Sequence, residues 1–174
     1  SGQDWIEAKP NSAITEQEFF TRFAPVLGLT SKDVMTFNRK TTDDAGMEHR
    51  RFDQYHNGYK VDGGEFILHV VNGIVKTANG KLLRNFTKNT TPAISEQTAL
   101  KKAMSLFPKG DFMWLNPKAE TMIKEDKKDP SATYVPKGEL VWRYKDYDVD
   151  FNKQDFILSW RFDIYTESGD ARTV

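Results

Sequence analysis

Three Asn-Gly dipeptides lie between residues 57 and 80 of this 174-residue chain, and they constrain its fold more than any other feature. The dipeptide suits two-residue turns of antiparallel hairpins, because both central residues of such a turn need positive φ. The clearest example separates two apolar runs, residues 65–71 and residues 74–78. The pattern therefore predicts an antiparallel meander from residue 34 to about residue 83.

A helix is predicted before this meander. Thr15 and Glu18 have the spacing of a capping box, in which two side chains satisfy free N–H groups at a helix start. Apolar residues recur at helical spacing through residues 19–27, and Gly28 stands where a left-handed C-terminal cap is expected. The helix should therefore occupy the segment between Thr15 and Gly28, with its last turn distorted by Pro25.

The second half of the chain repeats this order of a helix followed by strands. Residues 84–92 lose periodicity and are rich in Asn and Thr, which indicates a linker. Ser95 and Asn116 are the predicted N-caps of two further helices. Large apolar residues alternate along residues 156–164, which favours one long strand. We therefore predict an α+β fold of two small modules, residues 14–83 and 93–174, each a helix packed on an antiparallel sheet.

The composition excludes several kinds of partner and chemistry. The chain has 25 Lys plus Arg against 25 Asp plus Glu, so its charge predicts neither a nucleic-acid nor a membrane partner. No segment approaches the roughly 18 apolar residues of a membrane helix, and no signal peptide is recognisable. The chain is therefore expected to be cytosolic or to have lost its signal. The absence of Cys excludes disulfides and thiol catalysis.

No recognised catalytic motif is present, and the three histidines offer little to build a site from. His49, Asp53 and His69 lie on one side of neighbouring predicted strands, so a metal site can be imagined there. His56 differs from His49 in strand parity, however, and scattered imidazoles usually lie on a sheet surface. We therefore expect no metal site and no catalytic residue, and the chain is not predicted to be an enzyme.

A more specific signal is the spacing of residues along the meander. Arg51, Gln54, Gly58 and Val61 are followed by a hairpin that ends in Asn79-Gly80. This spacing resembles that of the fungalysin/thermolysin propeptide module, in which an Arg, a Gln, a Gly and a Val recur at these intervals. The resemblance supports the predicted first module.

The second half is similar to the PepSY region that follows in thermolysin-type propeptides. The similarity lies in residues 94–100, 132–136, 140–142 and 158–165. The family usually continues from the Trp-Arg-Phe strand into a further strand with an Asp-Ala-x-Thr-Gly signature. We expect this chain to stop at Val174 without that strand, so the second module is expected to be truncated at its C-terminal end. We likewise expect no catalytic domain with its zinc motif within these 174 residues.

The resemblance implies a non-catalytic pro-region of a secreted, bacterial type of thermolysin-like zinc metallopeptidase, with the signal peptide already removed. Such a zymogen segment acts as an intramolecular chaperone and inhibitor, and its partner is its own catalytic domain. No cofactor is expected in this chain, since zinc and calcium belong to the catalytic domain. The alternative is a stand-alone secreted binding module or a peptidase inhibitor that acts in trans, because similar folds serve many binding tasks.

The docking surface is predicted from residue type alone. One part is the face of the meander, and the other is a connection that is unusually apolar. The predicted partner-binding residues are Arg51, Gln54, Tyr55, Gly58, Phe112, Met113 and Trp114. Each group has a structural alternative: the polar residues could bond to neighbouring loops, and the apolar residues could close the core of the second module.

Overall fold

The structure is a computed structural model that describes residues 4–9, 12–88, 91–145 and 155–174. The chain forms two compact units, one from the residues up to 90 together with 141–158, and one from 91–140 together with 159–174. Segment 141–158 therefore groups with the first unit, although the predicted modules placed it in the second. Three helices and mostly antiparallel strands confirm the α+β class.

The first unit is built on an antiparallel sheet with the strand order β1-β5-β4-β3-β2. Its strands are β1 (Asp4–Glu7), β2 (Asp33–Thr42), β3 (Glu48–His56), β4 (Tyr59–Val71) and β5 (Ile74–Gly80). The predicted meander is thus confirmed. Strand β1 is an addition that the sequence pattern did not predict, and it pairs with β5.

Two of the three Asn-Gly dipeptides form the turns that were predicted. Asn57 and Gly58 join β3 to β4 with φ of 50° and 81°, and the same arrangement at residues 72–73 joins β4 to β5. The third dipeptide is not a turn, because Asn79 and Gly80 lie within β5. A Cβ atom on Gly80 would lie 2.3 Å from the carbonyl oxygen of Glu65, so close strand packing requires glycine there.

Helix α1 (Glu16–Leu27) covers one face of this sheet. It begins as predicted, since Glu18 accepts hydrogen bonds from the backbone N–H and the hydroxyl of Thr15, and it ends at Gly28 with φ of 67°. The ring of Phe19 packs against Phe66 of β4. This face of the sheet therefore holds the larger core of the first unit.

Two later strands contribute residues 141–144 and 156–158 to the first unit, whereas the rest of each strand belongs to the second. They are β6 (Glu139–Tyr144) and β7 (Phe156–Arg161), which pair with each other. Lys60 of β4 is in parallel register with Val141 of β6. A second buried cluster results, formed by Val61, Leu83, Phe86, Trp142 and Phe156.

The second unit contains two helices and a small two-stranded sheet. The elements are α2 (Glu96–Met104), a 3-10 turn (Met113–Leu115), α3 (Pro117–Lys127), β8 (Asp163–Tyr165) and β9 (Ala171–Thr173). Ser95 and Asn116 cap α2 and α3 as predicted, each accepting a backbone N–H. The core is formed by Ala99, Ala103, Phe107, Phe112, Phe162 and Ile164.

The end of the chain differs from the prediction in two respects. Residues 156–164 do not form one strand, because β7 ends at Arg161 and Phe162 separates it from β8. The alternation persists through the break, with Phe156, Phe162 and Ile164 all buried. The expectation that no strand follows the turn was wrong, since β9 pairs with β8 directly after Asp170.

Candidate functional site on the two faces of strand β3

Strand β3 presents the predicted site residues on two opposite faces. Phe52, Gln54 and His56 are buried on the face that carries the core, whereas Arg51 and Tyr55 are only half-buried. Successive side chains of a strand point to opposite sides of the sheet, so Arg51 and Gln54 cannot contact the same partner surface. The structure therefore separates two residues that the sequence analysis grouped together.

The Gln54 side chain connects β3 to the segment that follows β5. Its Nε2 donates to the carbonyl of Leu83 at 2.7 Å, and its Oε1 accepts from the N–H of Leu83 at 2.7 Å. Nε2 also donates to Oδ1 of Asp33 at 2.9 Å. Gln54 has 0% exposed surface. The hydrogen bonds of Gln54 therefore match the alternative to partner binding, in which this side chain holds the meander to a neighbouring loop.

Asp33 is the centre of this buried network, and the sequence analysis did not single it out. Its Oδ2 accepts from the backbone N–H and the hydroxyl of Thr30, at 2.8 and 2.7 Å. Its Oδ1 accepts from Gln54 and from Nδ1 of His56, which lies 3.0 Å away. The Asp33 side chain is only 1% exposed. Four donors therefore compensate the cost of burying one carboxylate.

His56 connects this hydrogen-bonded network to the second apolar cluster. Its ring makes edge contacts with Phe86 and Trp142, and its carbonyl accepts from Nε1 of Trp142 at 3.0 Å. Within the described residues, Nε2 of His56 is buried without a hydrogen-bond partner. His56 is therefore a core residue between Asp33 and the second apolar cluster.

The opposite face of β3 carries a row of paired charges. Arg51 contacts Glu65 at 3.3 Å, and Lys60 contacts Asp53 at 2.7 Å. Tyr55 lies beside these pairs, in register with Val34 of β2 and Lys60 of β4. Gly58 is exposed in the turn at the end of β3. Arg51, Tyr55 and Gly58 thus belong to one accessible region, which we call the outer face.

The outer face continues to a pair of histidines. Nδ1 of His49 lies 2.6 Å from Nδ1 of His69, and the ring of Trp5 stacks on His69 with centroids 5.4 Å apart. Nε2 of His49 lies 3.3 Å from Asp43. The predicted neighbour Asp53 pairs with Lys60 instead. In the part of the chain that the structure describes, no three His, Asp or Glu side chains are grouped to hold a metal ion.

Charged groups in and beside this strand have shifted pKa values. The pKa of Arg50 is raised, chiefly by hydrogen bonds to Glu16 of α1 and then to Glu48. The pKa of Asp43 is lowered, first because its carboxylate accepts the N–H of Met47 at 2.9 Å. Arg50 thus joins helix α1 to β3, and Asp43 holds the turn between β2 and β3.

The apolar residues predicted to bind a partner lie in the second unit. Phe112 is 3% exposed and belongs to the core, where its ring stacks on Trp114 with centroids 4.4 Å apart. Met113 and Trp114 are half-buried in the 3-10 turn. The position of Phe112 corresponds to the alternative in which these residues close the core of the second unit.

Comparison with protein families identifies the region that contains the site. The model of the Fungalysin/Thermolysin Propeptide Motif matches residues 36–82, which run from within β2 to just beyond β5. This part of the chain is thus similar to the propeptide motif, which confirms the resemblance stated for the first module. The match supports a thermolysin-family propeptide at these residues.

The match does not extend beyond residue 82, so the PepSY assignment of the second half stays a prediction. No curated protein matches the chain significantly. None of the helices among the described residues is long and apolar enough to cross a membrane.

Proposed function

We propose that the chain is the pro-region of a secreted thermolysin-like zinc metallopeptidase and that it acts on its own catalytic domain as an intramolecular chaperone and inhibitor. The observation that carries this proposal is the propeptide motif at residues 36–82. A propeptide module has no reaction of its own to perform, and its natural partner is a peptidase domain. Zinc and calcium belong to that domain in this proposal.

The outer face of the sheet is the proposed docking surface. Helix α1 covers the other face, and the polar groups of Gln54 are all used inside the unit. Arg51 and Tyr55 stand on the outer face with part of their surface free. Glu65 pairs with both Arg51 and Arg39, so this group has one excess positive charge that an acidic group of the partner would have to balance.

A preformed sheet explains how such a pro-region assists folding. A catalytic domain with many non-local contacts folds slowly and passes through states that expose apolar surface. A partner that binds only the native-like arrangement stabilises it by mass action, and the same contact obstructs substrates when it lies across the cleft. Chaperone and inhibitor are therefore two consequences of one binding surface.

The experiment is to refold the peptidase domain encoded by the same gene, by dilution from denaturant, with and without this chain added in trans. We expect the chain to increase the peptidase activity recovered after it is removed. We also expect stoichiometric inhibition of the native peptidase domain. Failure of both effects would contradict the proposal and favour a stand-alone module that binds another partner.

Substitutions on the outer face test the docking surface. Arg51→Gln combined with Tyr55→Ala should weaken inhibition, because both side chains lie in the proposed contact. Arg22→Gln is the control for the lost charge, since it removes one positive charge from an exposed position on helix α1, on the other side of the sheet. Equal inhibition by the two variants would contradict the proposal that the outer face contacts the peptidase domain.

A further inference from the structure

A cavity in the second unit combines two aromatic rings with two carboxylates. Its volume is about 320 Å³, and it lies between the last turn of α3, residues 133–136 and strand β8. Tyr134 and Tyr165 line it, with ring centroids 5.7 Å apart and ring planes at 61°. Asp126 and Asp163 line it as well. The cavity is separate from the outer face described above.

The charges around the cavity favour a cation. Asp163 accepts one hydrogen bond from the hydroxyl of Thr173 at 2.7 Å. Among the described residues, no basic side chain pairs with Asp126 or Asp163. Lys127 also lines the cavity, so its walls carry two negative charges and one positive charge. The carbonyl end of α3 adds partial negative charge, because a helix dipole is negative at its C-terminus.

The two tyrosine rings narrow the class of cation. The faces of aromatic rings attract cations, and a planar guanidinium both stacks on a ring and bonds to a carboxylate through paired N–H groups. A lysine ammonium offers only a compact, strongly hydrated charge. Neither ring is fully buried, so both remain accessible to a side chain that enters from solvent.

We propose that this cavity binds an arginine side chain of a partner polypeptide. Tyr134 and Tyr165 contact the guanidinium plane, and Asp126 and Asp163 accept its N–H groups. Lys127 carries the same charge as a guanidinium and opposes binding. The proposal does not depend on the identity of the peptidase, since it concerns a site with its own side chains in the second unit.

The test is titration of the full chain with N-acetyl-arginine methylamide, followed by two-dimensional NMR of the backbone amides and tyrosine rings. The uncharged isostere N-acetyl-citrulline methylamide is the ligand control. We expect saturable shifts around Tyr134 and Tyr165 with a dissociation constant on the order of millimolar. The citrulline compound should give no saturable shift. The corresponding lysine compound, N-acetyl-lysine methylamide, should bind more weakly than the arginine compound.

Substitutions of three exposed residues in the last turn of α3 distinguish binding in this cavity from general attraction between charges. Asp126→Asn should weaken binding about three- to tenfold, and Lys127→Gln should strengthen it. Glu125→Gln removes the same charge one residue away, outside the cavity lining, and should leave binding unchanged. Equal binding of citrulline, tighter binding of lysine, or equal effects of Asp126→Asn and Glu125→Gln would each overturn the proposal.

Discussion

Nδ1 of His49 lies 2.6 Å from Nδ1 of His69, so the two imidazoles share a single proton across this contact. Nε2 of His49 faces the carboxylate of Asp43, which can only accept. When both rings are neutral, His49 must therefore carry its proton on Nε2, and His69 must carry its proton on Nδ1. Oδ1 of Asn79 lies 2.6 Å from Nε2 of His69, so this neutral pair requires the Asn79 amide to turn and present its NH₂ group to that nitrogen.

The two histidines are accordingly expected to be in different tautomeric forms. Long-range ¹H–¹⁵N NMR spectra at about pH 8 distinguish protonated from bare ring nitrogens. In the variant His69→Phe, Nδ1 of His49 loses its donor, and its ¹⁵N resonance should move toward that of a bare nitrogen. A proton found on Nδ1 of His49 in the unaltered chain would contradict this assignment.

Acid should weaken the turn between β2 and β3. The pKa of Asp43 is lowered from its ordinary value of 3.8, chiefly by the N–H of Met47, so the folded state holds the carboxylate ionised more strongly than the unfolded state. The stabilisation is complete above the unfolded pKa and is lost as the pH falls through the lower folded pKa. Melting temperatures recorded from about pH 6 down to pH 2 should therefore fall less steeply for Asp43→Asn. Asp44→Asn, the next residue along, is the control and should keep the original slope.

The variant Asp33→Asn should destabilise the first unit by about 3 kcal/mol. The substitution replaces one carboxylate oxygen of Asp33 by an NH₂ group, which cannot accept a hydrogen bond. The four hydrogen bonds that Asp33 accepts therefore cannot all be kept. Asp53→Asn is the matched control, because Asp53 makes a partly exposed pair with Lys60 and such pairs contribute about 1 kcal/mol or less. Urea unfolding at neutral pH measures both values, and similar losses in the two variants would refute the buried network.

The variant Trp142→Ala should cost about 3–5 kcal/mol of unfolding free energy. Trp142 is 1% exposed, packs against Phe86, and donates a hydrogen bond to the carbonyl of His56. Trp5→Ala removes an indole that is 61% exposed, and its loss should be much smaller. Hydrogen exchange of β3 and β4 amides is the second measurement, since faster exchange there would locate the damage in the first unit. Unchanged exchange in β3 and β4 would contradict the role assigned to Trp142.

Local chemistry explains which elements could be predicted from the sequence. The positive φ of Asn57 and Gly58 is a property of those residue types, and the Thr15–Glu18 cap lies within one helical turn. The Asn79-Gly80 dipeptide shows the limit of this reasoning. It has the composition of a turn, yet the close approach of the Glu65 carbonyl, rather than a reversal of the chain, requires its glycine.

The remaining features depend on contacts between distant segments. Asp33 is buried only because Gln54 and His56 approach it from another strand, and no local pattern indicates a carboxylate with that environment. The parallel pairing of Lys60 with Val141 joins residues that no short motif connects. Strand β1 has four residues, too few for its alternation to be recognised. For the candidate site, spacing pointed to residues of strand β3, but the placement of Arg51 and Gln54 on opposite faces required the burial pattern.

The discontinuous first unit has a consequence for synthesis on the ribosome. Val61, Leu83 and Phe86 form an apolar cluster that is completed by Trp142 and Phe156. The nascent chain must therefore extend through residue 158 before this unit can close. Until then the three earlier side chains expose apolar surface, and a chaperone can bind them. The N-terminal unit consequently cannot finish folding when the ribosome has made only residues 1–90, because it also needs residues 141–158.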